Sequence, residues 1–285
     1  MEKLYIINNL GERELFSLKK ITNSLYRAGV PASLAKEIAA IVEEEAYPGI
    51  TTKEIYRKTQ DILIKEYPLG GIRFNLKEAM RKLGPTGFSF EKFIGAIFSD
   101  KGFKVKLNQQ IPGSCITYEI DFTAQKENLF YIGECKYRNL PGDKVHSGDA
   151  LINYARFLDI KKGNFFNRFN QENLEIKSLL VTNTKFTDRA VKYSKCVGVE
   201  ILGWNYPKQK GLEYLIESQR LYPITILPSL RKDLAEAFAA KRIMLVQDLL
   251  DTDIKKLEKR TRIPQKYLIP LIKDAKILLG SKYDL

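Results

Sequence analysis

The sequence predicts a multidomain chain in which an α/β core with a mixed sheet lies between two helical segments. Three observations carry this. The 285 residues exceed what one ordinary core of about 100–150 residues needs. The stretch "LGPTGFSF" at 83–90, with two glycines and a proline, is the clearest boundary. Beyond it, helical and alternating apolar patterns follow one another in the order αβββαβαβ, which a mixed sheet covered by helices on both faces satisfies. The expected divisions are 1–84, 85–223 and 224–285.

In the first segment "LYIINN" reads as a short β-like opening. "LKKITNSLYRAG" and "SLAKEIAAIVEEEA", separated by "VPA", are amphipathic helices, and "TTKEIYRKTQDILIKEY" adds a third. In the second segment a helix over Phe90 to Asp100 precedes three strands, "FKVKLNQQI", "ITYEIDFTA" and "LFYIGECKY". A helix from Ser147 to about Leu158, the buried strand "SLLVTN", a helix from Thr187 and a last strand "VEILGW" complete the order. The third segment reads as four or five short helices.

The net charge of +13 points to a polyanionic partner, with nucleic acid the usual one and an acidic protein the electrostatic equivalent. The basic excess of 3, 5 and 5 charges over the three segments rules out a basic tail, so folding must assemble any binding surface. No apolar run approaches the ~18–20 residues of a membrane span, and the beginning of the chain lacks a signal-peptide pattern, so a cytoplasmic protein is expected. Three scattered cysteines, Cys115, Cys135 and Cys196, support neither a disulfide framework nor a zinc site.

The chemistry concentrates in residues 118–138. Alternation along a strand puts Glu134 and Lys136 on one face and Cys135 on the other. A turn near Lys126-Glu127-Asn128 brings Asp121 alongside Glu134. Two neighbouring carboxylates repel unless a cation lies between them, and a hard ion such as Mg²⁺ or Mn²⁺ suits oxygen ligands. Lys136 would orient an attacking water or neutralise charge on a phosphoryl oxygen, a set suited to phosphodiester hydrolysis. The competing reading of Glu134 and Lys136 is an ion pair on a solvated sheet edge. Glu119 and the lone histidine, His146, are read as exposed or as supplementary site residues; Tyr137, Arg138 and Lys144 as a charged strand end or as phosphate contacts.

"EID", "ECK" and the acidic residue of "FSFEKFIGAIF", in this element order, resemble the PD-(D/E)XK nucleases, particularly the Mrr-like restriction-endonuclease branch, over about residues 85–205. The resemblance implies a restriction-endonuclease-like fold and Mg²⁺-dependent DNA cleavage. It makes Asp121 and Glu134 metal-binding carboxylates, Lys136 the catalytic lysine, Glu91 the glutamate of the first helix, and the Cys135 carbonyl a further metal ligand.

"IINNLGERELFSLKKITNSLYRAG" and "GITTKEIYRKTQDIL" resemble the ATP-cone, a nucleotide-binding regulatory domain. Glu14, Ser17, Lys20, Ile21, Thr52 and Tyr56, with Arg81 after the third helix, are then the residues around ATP or dATP, acting as an effector. Asn8 and Asn9 stand where that family has a Lys-Arg pair, a departure on the phosphate side. The alternative is an amphipathic docking module. The third segment resembles helix-hairpin-helix or SAM-like domains, which implies DNA contact by Lys241, Arg242, Arg260 and Arg262, against dimerisation or simple packing. Two further readings of the whole chain stay open: a nucleotide-responsive DNA-binding regulator that does not cut, and a homo-oligomerising assembly module.

Overall fold

The computed structural model describes residues 4–83, 90–140, 142–169 and 173–280. Most of the expected boundary stretch 83–90 lies outside the described residues. The chain forms two compact units: one made of Met1–Met80, Ile224–Ala237 and Val246–Leu285, the other of Arg81–Pro223 and Phe238–Leu245.

In the first unit β1 (Tyr5–Ile7) pairs antiparallel with β2 (Arg13–Leu15). Asn8 shapes their connection, its Oδ1 accepting from the Leu10 and Glu12 amides at 2.9 and 3.0 Å. Three longer helices follow, α1 (Leu18–Arg27), α2 (Ala32–Glu44) and α3 (Thr52–Glu66). α2 buries Ala35, Ile38, Ala39 and Val42, a spacing that puts all four on one face. Thr51 and Glu54 close a capping box at the start of α3. Two short helices, α4 (Pro68–Phe74) and α5 (Leu76–Arg81), were not expected: Pro68 occupies the first helical position, where its missing N–H costs nothing, while Gly70 and Gly71 obscure the apolar period. Most of the C-terminal segment, all but Phe238–Leu245, belongs to this unit. Thr225 Oγ1 donates to the Ala79 carbonyl at 2.8 Å.

The second unit is built on a five-stranded mixed sheet. α6 (Phe90–Asp100) leads into β3 (Lys104–Pro112), β4 (Thr117–Lys126) and β5 (Leu129–Lys136). Next come the short β6 (Lys144–Val145), α7 (Ser147–Lys162), β7 (Glu175–Thr182), β8 (Lys185–Phe186), α8 (Asp188–Val197), β9 (Glu200–Leu202) and α9 (Leu212–Gln219). The sheet order is β3-β4-β5-β7-β9, antiparallel through β5 and parallel beyond it. α7 runs about one turn further than expected, to Lys162. Of the C-terminal α-helices, α10 (Lys232–Ala240) begins in the first unit and ends in the second, while α11 (Gln247–Leu250), α12 (Ile254–Thr261) and α13 (Gln265–Leu279) belong to the first.

Two apolar clusters sandwich the sheet. On the α6 face Phe98 packs on Phe122 and Tyr131, with ring centroids 5.4 and 6.0 Å apart. Gly95 lets α6 approach β3 so closely that a Cβ there would meet Leu107 at 2.9 Å. On the other face Ile111, Ile120, Phe130, Ile132, Ile160 and Phe165 form one cluster. Ile120 and Phe122, two apart on β4, thus bury in opposite layers. Strict alternation would put them on one face. The strand turns over at Asp121, opposite Asn108, whose backbone is left-handed at φ 50.

Candidate active site

β5 is buried along its centre because it pairs on both sides and is covered on both faces. Its end carries the site. A two-residue turn, with Glu127 at φ 51, sets the β4–β5 register so that Phe122 faces Gly133. The next position along is Asp121, whose Oδ2 accepts from the Cys135 amide at 2.6 Å. The site carboxylate thus continues the cross-strand bonding where the regular ladder stops.

Glu134 is buried, with 9% of its side chain exposed. Burying a carboxylate at that depth is costly unless it is paired and hydrogen-bonded. Lys136, on the same strand face, donates to its Oε1 at 2.6 Å. Arg156 of α7 reaches both of its oxygens from one Nη1, each at 3.3 Å. Asp121 has less help: burial first, then the charges of Glu134 and Glu91, push its carboxyl up to about 6, against the lowering effect of the Cys135 hydrogen bond and Lys136. Glu91, half-buried on α6, therefore belongs to the same electrostatic cluster. Burial, and then the charges of Asp121, Glu91 and Glu134, push the Cys135 thiol well above its ordinary range, so it offers no thiolate.

Thr117, Tyr118, Glu119, Asp121, Glu134 and Arg156 line a cleft of about 390 Å³. Its oxygen-rich donors have the chemistry of a site for a hard cation. Among the described residues, however, no three His, Cys, Asp or Glu side chains converge to hold a metal ion as they stand. Glu134 is turned to Lys136 and Arg156, and Asp121 to the Cys135 amide.

Arg156 is the residue missed from sequence. The helix of which it is part buries Ala150, Asn153 and Ile160. Asn153 and Arg156 are polar interruptions of that inward stripe, and this was the available signal; Asn153 donates to Ser178 Oγ at 2.8 Å. Glu119 lies exposed on the rim of the cleft. His146 is exposed and precedes α7, its amide donating to Asp149 Oδ2 at 3.1 Å. Arg138 pairs with Asp143 and Asp149.

In the first unit Glu14, Ser17, Lys20, Ile21, Thr52 and Tyr56 line one cavity of about 180 Å³, together with Ile6, Phe16, Ser24, Ile55, Thr59 and Phe74. Lys20 pairs with Glu14 at 3.2 Å, Ser17 Oγ caps α1, and Tyr56 stacks on Phe74 at 4.9 Å. Arg81 does not line this cavity and falls in the second unit. Asn9 accepts from Thr52 Oγ1 at 3.1 Å. Lys241, Arg242, Arg260 and Arg262 are all exposed; the first two belong to the second unit, the other two to the first.

Fold and site together define a mixed α/β protein with a carboxylate–lysine cluster at the end of its central strand and a helical C-terminal region. Residues 222–279 match the family model described as AF1548-like, C-terminal. An uncharacterized protein of Archaeoglobus fulgidus is 34% identical over 186 residues, which cover 65% of this chain and 98% of that one. The chain belongs to the AF1548-like family. The crystal structure of AF1548, described as a protein of unknown function, superposes with a TM-score of 0.56 at 32% identity, over 67% of this chain and 97% of that one. The MspJI restriction endonuclease in complex with a 27-mer oligonucleotide gives a TM-score of 0.35 at 12% identity, over 61% of this chain and 36% of that one.

Proposed function

We propose that this protein is a divalent-metal-dependent DNA endonuclease of the PD-(D/E)XK kind. The observation that carries this reading is the placement of Glu134 and Lys136 on one face of β5, in contact at 2.6 Å, beside an Asp121 carboxyl raised to about 6. Three carboxylates kept close together in a partly buried site cost stability, and a binding role accounts for their being there. Asp121, Glu134 and the Cys135 carbonyl would hold Mg²⁺ or Mn²⁺, which supplies charge neutralisation and an activated water when bound. Lys136 carries its ammonium within reach of Glu134 and would stabilise negative charge growing on a phosphoryl oxygen as water attacks phosphorus and the P–O bond breaks. The net charge of +13 supports a nucleic-acid substrate.

The test is incubation of the full chain with labelled duplex, single-stranded and branched DNAs and Mg²⁺ or Mn²⁺. Asp121→Ala and Glu134→Ala should abolish cutting, and Lys136→Ala should slow it on the order of 10²-fold or more while DNA is still bound. DNA binding without any cleavage across the panel would favour the non-cutting regulator.

The cavity in the first unit favours a second element, an adenine-nucleotide effector site, because six of the residues expected around ATP or dATP line it together. At about 180 Å³ it has room for an adenine ring and would leave the phosphates outside. Asn8 and Asn9, engaged with the β1–β2 turn and Thr52, supply no charge to them.

A further inference from the structure

We propose that Arg156 serves as the resident counter-ion of Glu134 and gives up that carboxylate when a divalent cation enters, becoming free to hold the substrate phosphate. The inference rests on the metal reading above and adds the residue that controls access to it.

Glu134 has two cationic partners of different kinds. Lys136 is fixed two residues away on the same strand and contacts one oxygen at 2.6 Å. Arg156 comes from another element and shares a single nitrogen between both oxygens at 3.3 Å. That is not the two-nitrogen fork that makes arginine–carboxylate pairs strong. With 35% of its side chain exposed, Arg156 can leave at little desolvation cost. It also lines the same cleft as Asp121, Glu119 and Glu134, so release leaves it beside any phosphodiester bound there. A cation coordinated by Glu134 and a guanidinium on the same oxygens repel each other. The arrangement accounts for a site rich in carboxylates in which, among the described residues, no three converge: the arginine holds one of them.

A purely structural role and this one predict opposite signs. Were Arg156 only bracing α7 against β5, its loss would loosen Glu134 and weaken or leave unchanged the affinity for metal. As a competitor, its loss strengthens metal binding. The experiment is calorimetric titration of Mn²⁺ into the full chain at fixed ionic strength without DNA, using wild type, Arg156→Gln and Arg156→Lys, with Trp204 fluorescence and circular dichroism to verify folding. Arg156→Gln should bind Mn²⁺ about tenfold more tightly, the scale expected for removing one partly solvated charge a few ångströms away, and Arg156→Lys should stay near wild type. In a separate titration with a short duplex DNA in Ca²⁺, Arg156→Gln should bind DNA several-fold more weakly. Equal or weaker Mn²⁺ binding by a folded Arg156→Gln, with wild type binding Mn²⁺, overturns the inference alone. Absence of Mn²⁺ binding in all three proteins at millimolar concentration overturns it together with the metal reading.

Discussion

Asp121→Asn should make the second unit more stable at neutral pH. In the folded chain the Asp121 carboxyl titrates at about 6, against an ordinary 3.8. A group whose folded value is raised binds its proton more tightly in the native state. Its ionised form therefore costs stability, and the cost develops as pH rises from about 4 to about 6 and is complete above that. At about 1.4 kcal/mol per pH unit the gap corresponds to roughly 3 kcal/mol, and partial exposure of the carboxyl reduces this to about 2 kcal/mol. The Cys135 hydrogen bond is already contained in that figure, and asparagine can still accept it. The single tryptophan, Trp204, is 2% exposed and lies in the same unit, so its fluorescence follows the relevant unfolding. Urea unfolding in EDTA should give wild-type and Asp121→Asn curves that coincide near pH 4 and differ by about 2 kcal/mol at pH 7.5, with the variant the more stable. A variant equal to or less stable than wild type at pH 7.5 refutes the reasoning, because Asp121 would then not be a strained carboxylate.

Gly133→Ala should destabilise the same unit by about 1–3 kcal/mol, since the added Cβ would run into the Phe122 ring; Phe122→Leu in the same chain should recover part of the loss in urea unfolding. Lys20→Ala should weaken ATP binding in calorimetry if the first-unit cavity takes the nucleotide, and absence of binding heat from wild type at millimolar ATP and dATP would make that unit a docking module. Arg262 caps α12 with a left-handed backbone, φ 60, where glycine is at ease. Arg262→Gly should raise stability by about 0.5–1 kcal/mol, and, if the arginine touches DNA phosphate, lower the slope of log K against log salt by about one. A destabilised variant would show instead that the side chain braces the fold.

The hairpin and the placing of its charged residues were legible because strands and turns obey local rules. The short turn at Glu127-Asn128 sets the register, and period-two alternation puts Glu134 and Lys136 together. Where alternation fails, sequence reading fails with it: nothing in "YEIDFT" announces that Ile120 and Phe122 go to opposite layers. Arg156 depends on how α7 packs across the parallel half of the sheet, a long-range matter. β2 was missed because three residues, "REL", are too few to show a period. The six expected residues that line the first-unit cavity lie on β2, on α1 and its N-cap, and on α3, and only the resemblance linked them before the fold did.

The reversal of β4 at Asp121 has a mechanical consequence. Ile120 is anchored in one hydrophobic layer and Phe122 in the other, so the peptide between them cannot slide along the strand or roll about its axis without withdrawing one large side chain from its cluster. The carboxylate is held like a bead between two clamps, and neither clamp is part of the chemistry. Its alignment with Glu134 should therefore survive exchange of the reactive groups themselves, and the same strand could carry a different side chain at 121 to a different reaction with its aim unchanged.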